Sequence, residues 1–350
     1  MPPNRKMSLP NGSTSSSQNS QKDNGNNQRK PDKSYNQSNF TRQTNAVKDF
    51  FSIPKPVKKV FDKVPVLTYP ANELPRGPGS KGKGKADRDA RLPSLYVFCR
   101  EGDEAEHGGR PSFNPGCLKW QTFLKLAGVD HKIVSSNNHA SPTGVLPFLL
   151  PGIKSSSSQD DYLPIPSSGF VKYAKKQGRK VQEPQSMRYE AYQSLIDHRI
   201  RNAWLHTLYL TPSNFSSVAW PLYIQSTSSV PLIRLITAHQ LCSAASAELM
   251  KTASTIDTHS IYGEAEKAFE ALSVLLGDEK WFFGEKEPTL FDASIFAYTY
   301  LLLDDTMGWK DRRLVDMVKK SGKGNLVRHS RRVFKRCWED IASEGDGVLV

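Results

Sequence analysis

The residues best suited to chemistry in this chain are its four cysteines and its histidines, and their spacing argues against most of what they could do. Cys99, Cys117, Cys242 and Cys337 form no CxxC pair and no metal-ligand run, so they read as free thiols in a reducing compartment. His107, His131, His139, His198, His206, His239 and His259 contain no HExxH and no cysteine pairing, so no metal site and no cofactor is expected from them. Cys117 falls inside an expected helix next to Leu118, where a cysteine behaves as a small buried hydrophobe. Ser167 or Ser168 can cap the helix that follows, and a capping oxygen is normally spent on its own helix. No residue is therefore assigned a catalytic role. Two local signals are structural. Pro147 interrupts the apolar run from Val145 to Leu150, where a central strand tolerates no proline, and implies a turn (often a cis bond) delivering the chain into a buried strand. Thr289-x-x-Asp292 has the spacing of a capping box ahead of the apolar run 293–303.

The elements that must position these residues divide the chain. Residues 1–46 are polar and poor in apolar side chains, too poor to offset the entropy of ordering, and read as a disordered leader. Residues 47–94 form a basic-apolar arm and linker. In the arm Phe50, Phe51, Val57, Val60, Phe61 and Val64 alternate with lysines and prolines, too apolar for a free linker and too broken to fold alone. Leu95 to Phe98 reads as a buried strand, and Asn114-Pro115 as a helix start. A second strand over 131–134, the 145–150 strand and a helix carrying Phe170, Val171 and Tyr173 complete an α/β unit, residues 95–180. A Ser-rich insertion at 155–158 interrupts it. From 181 to 340 the apolar spacing is helical, with a break at 322–325, and 341–350 is a tail. The fold class is α+β: a thioredoxin-like half, then an all-helical domain.

The order Gly144 to Pro147, Ser167-Ser168-Gly169, Thr289-x-x-Asp292 resembles the glutathione-transferase fold. There the proline enters the third strand, and the serine-bearing helix start receives the glutathione carboxylate. More closely, Pro111-Ser112-Phe113-Asn114-Pro115-Gly116-Cys117-Leu118-Lys119-Trp120 and Ser136-Asn137-Asn138-His139-Ala140-Ser141-Pro142-Thr143-Gly144 resemble the fungal metaxin-type receptor subunit of the mitochondrial outer-membrane sorting and assembly machinery. Phe51-Ser52-Ile53-Pro54 and the run from Leu67 to Pro75 resemble the segment preceding that family's folded part. The resemblance implies a non-catalytic protein, peripheral on the cytosolic face of the mitochondrial outer membrane. Its implied partners are the barrel-shaped insertase, a second metaxin-like subunit and β-barrel precursors, whose sorting signal it helps recognise. Active glutathione transferases carry Tyr, Ser or Cys just after the first strand. The nearest candidates here are Ser112, beyond a long loop, and Cys117, inside the helix.

Charge separates the two parts further. The net charge is +13, but residues 1–94 hold 18 Lys/Arg against 7 Asp/Glu, which gives +11, while residues 95–350 hold 30 against 28. An extended basic arm seeking an anionic surface fits this better than a nucleic-acid-binding domain. The run 218–238 is broken by Pro221, Pro231 and Arg234 and does not read as a membrane span. Basic tracts at 172–180 and 328–336 read as solvated faces, the second leaving a lipid-facing or partner-facing role open through Val333, Phe334 and Trp338. The rival to the metaxin-type reading is a cytosolic glutathione-dependent transferase with an extended leader, and a third is a translation-factor-like binding module of the same fold.

Overall fold

A computed structural model describes residues 92–100, 102–103, 109–152, 163–179, 187–339 and 341. The leader, the arm with Phe50, Phe51, Val57, Val60, Phe61 and Val64, and the insertion at 155–158 lie outside the described residues.

Strand β1 (Ser94–Val97) is buried at every position, as a strand covered on both faces must be. Helix α1 (Pro115–Leu126) leads to β2 (Lys132–Ser135), which pairs parallel to β1 with Leu95 opposite Ile133. β3 (Phe148–Leu150) and β4 (Ile165–Pro166) add antiparallel, giving the order β2-β1-β3-β4. The parallel pair needs a crossover, and α1 supplies it. Tyr96 and Phe148 stack on adjacent strands with centroids 4.4 Å apart.

The third strand is shorter than the apolar run suggests. Val145 is 61% exposed and the ladder begins only at Phe148. The reason is Pro147: it has no N–H to donate, and its peptide bond with Leu146 is cis. The serine cap also requires correction. Ser167–Gly169 form a 3₁₀ turn running straight into α2 (Phe170–Lys176), and neither Ser167 nor Ser168 caps it through a side chain. A side-chain cap needs an extended residue at the cap position, whereas Gly169 is already helical and Phe170 N–H bonds to Ser167 O. A Cβ at 169 would lie 2.7 Å from Ile165 Cγ2, so any larger residue there forces the Ile165 side chain to shift.

The remainder of the described chain is helical. Helix α3 spans 187–210, its Met187–Ser194 and Arg201–Leu205 pieces each followed by a π-helical stretch, Leu195–Ile200 and His206–Leu210. Helix α4 spans 212–224 and is π-helical over Phe215–Ile224, where the wide turn accommodates Pro221. Then come α5 (Pro231–Leu249), α6 (Thr258–Leu276), α7 (Leu290–Leu303), α8 (Arg313–Lys320) and α9 (Asn325–Cys337). The break between α8 and α9 centres on Gly322, at φ +54°, where any Cβ would overlap the Ser273 hydroxyl.

Helix α7 locks the layers together. It packs on α1 on one side and on α9 on another. Its Ala293 joins the core under the sheet, while Phe113, just before α1, and Leu118, within it, join the helical core around Phe269, Phe291 and Phe296. Among the described residues no helix is long and apolar enough to cross a membrane.

Candidate functional site

In this architecture the natural place for a nucleophile is the exit of β1, where α1 points its N-terminus. That corner is occupied by the chain itself. Ser112 is fully buried, and its hydroxyl donates to the Phe98 carbonyl at the end of β1. Its N–H donates to Gln121 Oε1 at 2.9 Å, and Gln121 Nε2 donates to Arg110 O at 2.9 Å. Asn114 is the N-cap of α1: its Oδ1 accepts from Cys117 N–H at 3.2 Å, and its Nδ2 donates to the Tyr223 hydroxyl at 3.2 Å. One donor at the positive end of the helix, the Cys117 N–H, is thus satisfied by an internal amide.

Tyr223, from α4, closes the corner. Its ring stands edge-on to Phe98 at 5.5 Å and Phe113 at 5.1 Å. Burial holds its hydroxyl well above the usual phenol range. Cys117 is fully buried and its thiol is pushed up to about 12, chiefly by desolvation. At neutral pH it is a thiol, and the thiolate is the reactive form. Ser112 and Cys117 are therefore brought together, but as packing and loop-anchoring groups. Trp204 is buried and Tyr209 packs against Tyr223 at 6.0 Å, so both aromatics belong to the helical core.

Pro147 and Ser168 lie at the same end of the sheet as the β1 exit: Pro147 precedes Phe148, which pairs antiparallel with Tyr96, and Ser168 follows Pro166, which pairs with Phe148. Thr289 and Asp292 form a separate buried hub. Asp292 Oδ2 accepts from Thr289 N–H at 2.8 Å and from Thr289 Oγ1 at 2.9 Å, closing the capping box of α7. Its Oδ1 accepts from Phe282 N–H at 3.1 Å and pairs with His329 Nε2 at 2.8 Å, with both side chains fully buried. His329 is the member that sequence reading misses. It lies in the basic tract at 328–336, and nothing local distinguishes it from its charged neighbours; only the fold brings α9 back to the start of α7.

That tract is otherwise resolved by burial. Val333, Phe334 and Trp338 are core residues, so the lipid-facing possibility attached to them is withdrawn. Arg332 donates to the Lys280 carbonyl and lies over the Trp281 ring, and Arg336 pairs with Glu287. The segment is a helix whose apolar side faces inward and whose cations face water. Among the described residues no cluster of three or more His, Cys, Asp or Glu could hold a metal ion.

The class follows from this geometry. The fold is glutathione-transferase-like: residues 115–214 match the glutathione S-transferase N-terminal domain, and residues 265–333 match the glutathione S-transferase C-terminal domain. A crystal structure of a glutathione transferase from Phanerochaete chrysosporium superposes with a TM-score of 0.46 at 11% identity, covering 70% of this chain and 97% of that one. The curated relatives to which the chain is similar are metaxins. Metaxin-3 of Xenopus laevis is 27% identical over 199 residues, 54% of this chain and 62% of its own length, which is less than two thirds. Metaxin-2 of Homo sapiens is 26% identical over 238 residues, 65% of this chain and 84% of its own.

Proposed function

We propose that this chain is a non-catalytic, metaxin-type subunit of the mitochondrial outer-membrane machinery that assembles β-barrel proteins. In this reading it is peripheral on the cytosolic face, binds the barrel insertase and a second metaxin-like subunit, and helps recognise the sorting signal of barrel precursors. The arm carrying Phe50, Phe51, Val57, Val60, Phe61 and Val64 docks on the insertase. The observation that carries the reading is the similarity to metaxins in a chain whose β1 exit is filled by Ser112, Asn114 and Tyr223. A glutathione thiolate needs open space and free donors there, whereas the Ser112 hydroxyl, the Cys117 N–H and the Asn114 amide are already used internally.

Import of a labelled barrel precursor into mitochondria lacking this protein tests the proposal. Assembly is expected to fail, and to return with the wild-type chain and with Cys117→Ala. Phe50→Ala/Phe51→Ala/Phe61→Ala is expected to restore it poorly and to co-purify less insertase. Normal assembly without the protein, or glutathione-conjugating turnover that Cys117→Ala abolishes, overturns the reading.

A further inference from the structure

Helix α5 leaves an aliphatic face bare. Leu232 is 64% exposed, Leu235 59%, Ile236 49% and Ile233 47%, and Val230 just before the helix is 46% exposed. At about 100° per residue the four helical side chains fall within one arc of about 160°. Arg234 lies on the opposite side, and its Nε donates to Ser228 O. The first buried residue of the helix is Ala238, so its first two turns project from the body. His239 and Gln240 end the patch.

Two features identify what covers it. From 198 to 247 the sequence carries no Asp or Glu, so a long run of surface around the patch holds no carboxylate to repel anionic headgroups. The face itself is only Val, Leu and Ile. Protein interfaces concentrate their binding energy in Trp, Tyr and Arg anchors seated in pockets, with Leu and Val under-represented. A featureless aliphatic face opposite a single arginine suits acyl chains below a headgroup layer. We propose that the first two turns of α5 are a monotopic membrane contact, sinking about 5–10 Å into the headgroup and acyl boundary of a phospholipid bilayer. This deepens the peripheral placement proposed above and rests on it, assigning that placement to an aliphatic surface as well as to protein partners.

The test is co-sedimentation of the full chain with phosphatidylcholine vesicles at high salt, which screens the basic leader. The wild type is expected to bind. Leu232→Gln/Leu235→Gln/Ile236→Gln is expected to partition about tenfold or more weakly, since three half-exposed aliphatic side chains would otherwise be buried in lipid. Its thermal unfolding should match the wild type, because the three side chains already face solvent. Absence of wild-type binding, or equal binding by the variant, overturns the proposal. So does a concentration-dependent dimer that the variant dissolves, which would make a second copy the occupant. Binding that emerges only in Phe50→Ala/Phe51→Ala/Phe61→Ala would make the arm the occupant and overturns it equally. Failure with vesicles leaves the metaxin-type reading standing; normal barrel assembly in mitochondria lacking the protein, with vesicle binding intact, counts against that reading alone.

Discussion

Helices α7 and α5 read alike in the sequence, as long apolar segments with few charges, yet the fold treats them in opposite ways. Twelve of the fourteen residues of α7 are buried, and only three of the nineteen of α5. The difference lies in neighbours. α7 has α1 on one side and α9 on another, and its start is fixed by the Thr289–Asp292 box and His329. The first turns of α5 have no such neighbours among the described residues, and their leucines and isoleucines face out. Apolar composition therefore identifies a surface that wants to be dry, while the tertiary arrangement decides whether the same chain covers it.

Paired substitutions put that contrast under strain. Leu302→Gln, at a position 1% exposed, leaves a cavity and an amide without partners, and is expected to cost about 3–5 kcal/mol in urea unfolding. Near-normal stability in that variant would mean that α7 does not hold the layers together. Asp292→Asn comes next. It removes the charge from a carboxylate that serves four donors, at an expected cost of about 2–3 kcal/mol.

Acid offers a way to strain the interior without mutation. His131 is buried and its pKa falls from 6.5 to about 4, mainly through desolvation, opposed by a hydrogen bond with Val129 O. The unfolded chain binds this proton more readily, so stability contributed by neutral His131 is complete above pH 6.5 and is lost as pH falls toward 4. Unfolding measured at pH 7 and pH 5 is expected to differ by about 2 kcal/mol from this group, and His131→Gln should flatten the difference. The smallest effect belongs to the exposed helix: Leu235→Gln is expected to shift stability by less than about 0.5 kcal/mol. A larger loss would show that α5 is covered in the free protein, and would erase the contrast with α7.

Much of the architecture was legible from local chemistry. Asn114-Pro115 starts α1, Gly322 interrupts the last helices, and Thr289-x-x-Asp292 caps α7, because each depends on a few neighbouring residues whose backbone demands are written in their side chains. Local pattern misled where two constraints competed. Ser168 has the right chemistry for a cap, but a glycine at 169 packed against Ile165 sets a helical entry that leaves the serine unused. The apolar run at 145 also begins before its strand, because the proline within it forbids pairing.

By itself the sequence determined an α+β chain with a basic leader, free cysteines and no metal-binding spacing, since composition and short-range periodicity act without knowledge of partners. Only the tertiary structure decided that Tyr223 closes the corner around Ser112 and Cys117, that His329 completes the Asp292 hub, and that α5 is left bare. Each of those facts joins residues tens of positions or more apart, or depends on the absence of a neighbour. Burial, which sets thiol reactivity, satisfies polar groups and exposes docking faces, is a property of the packed whole.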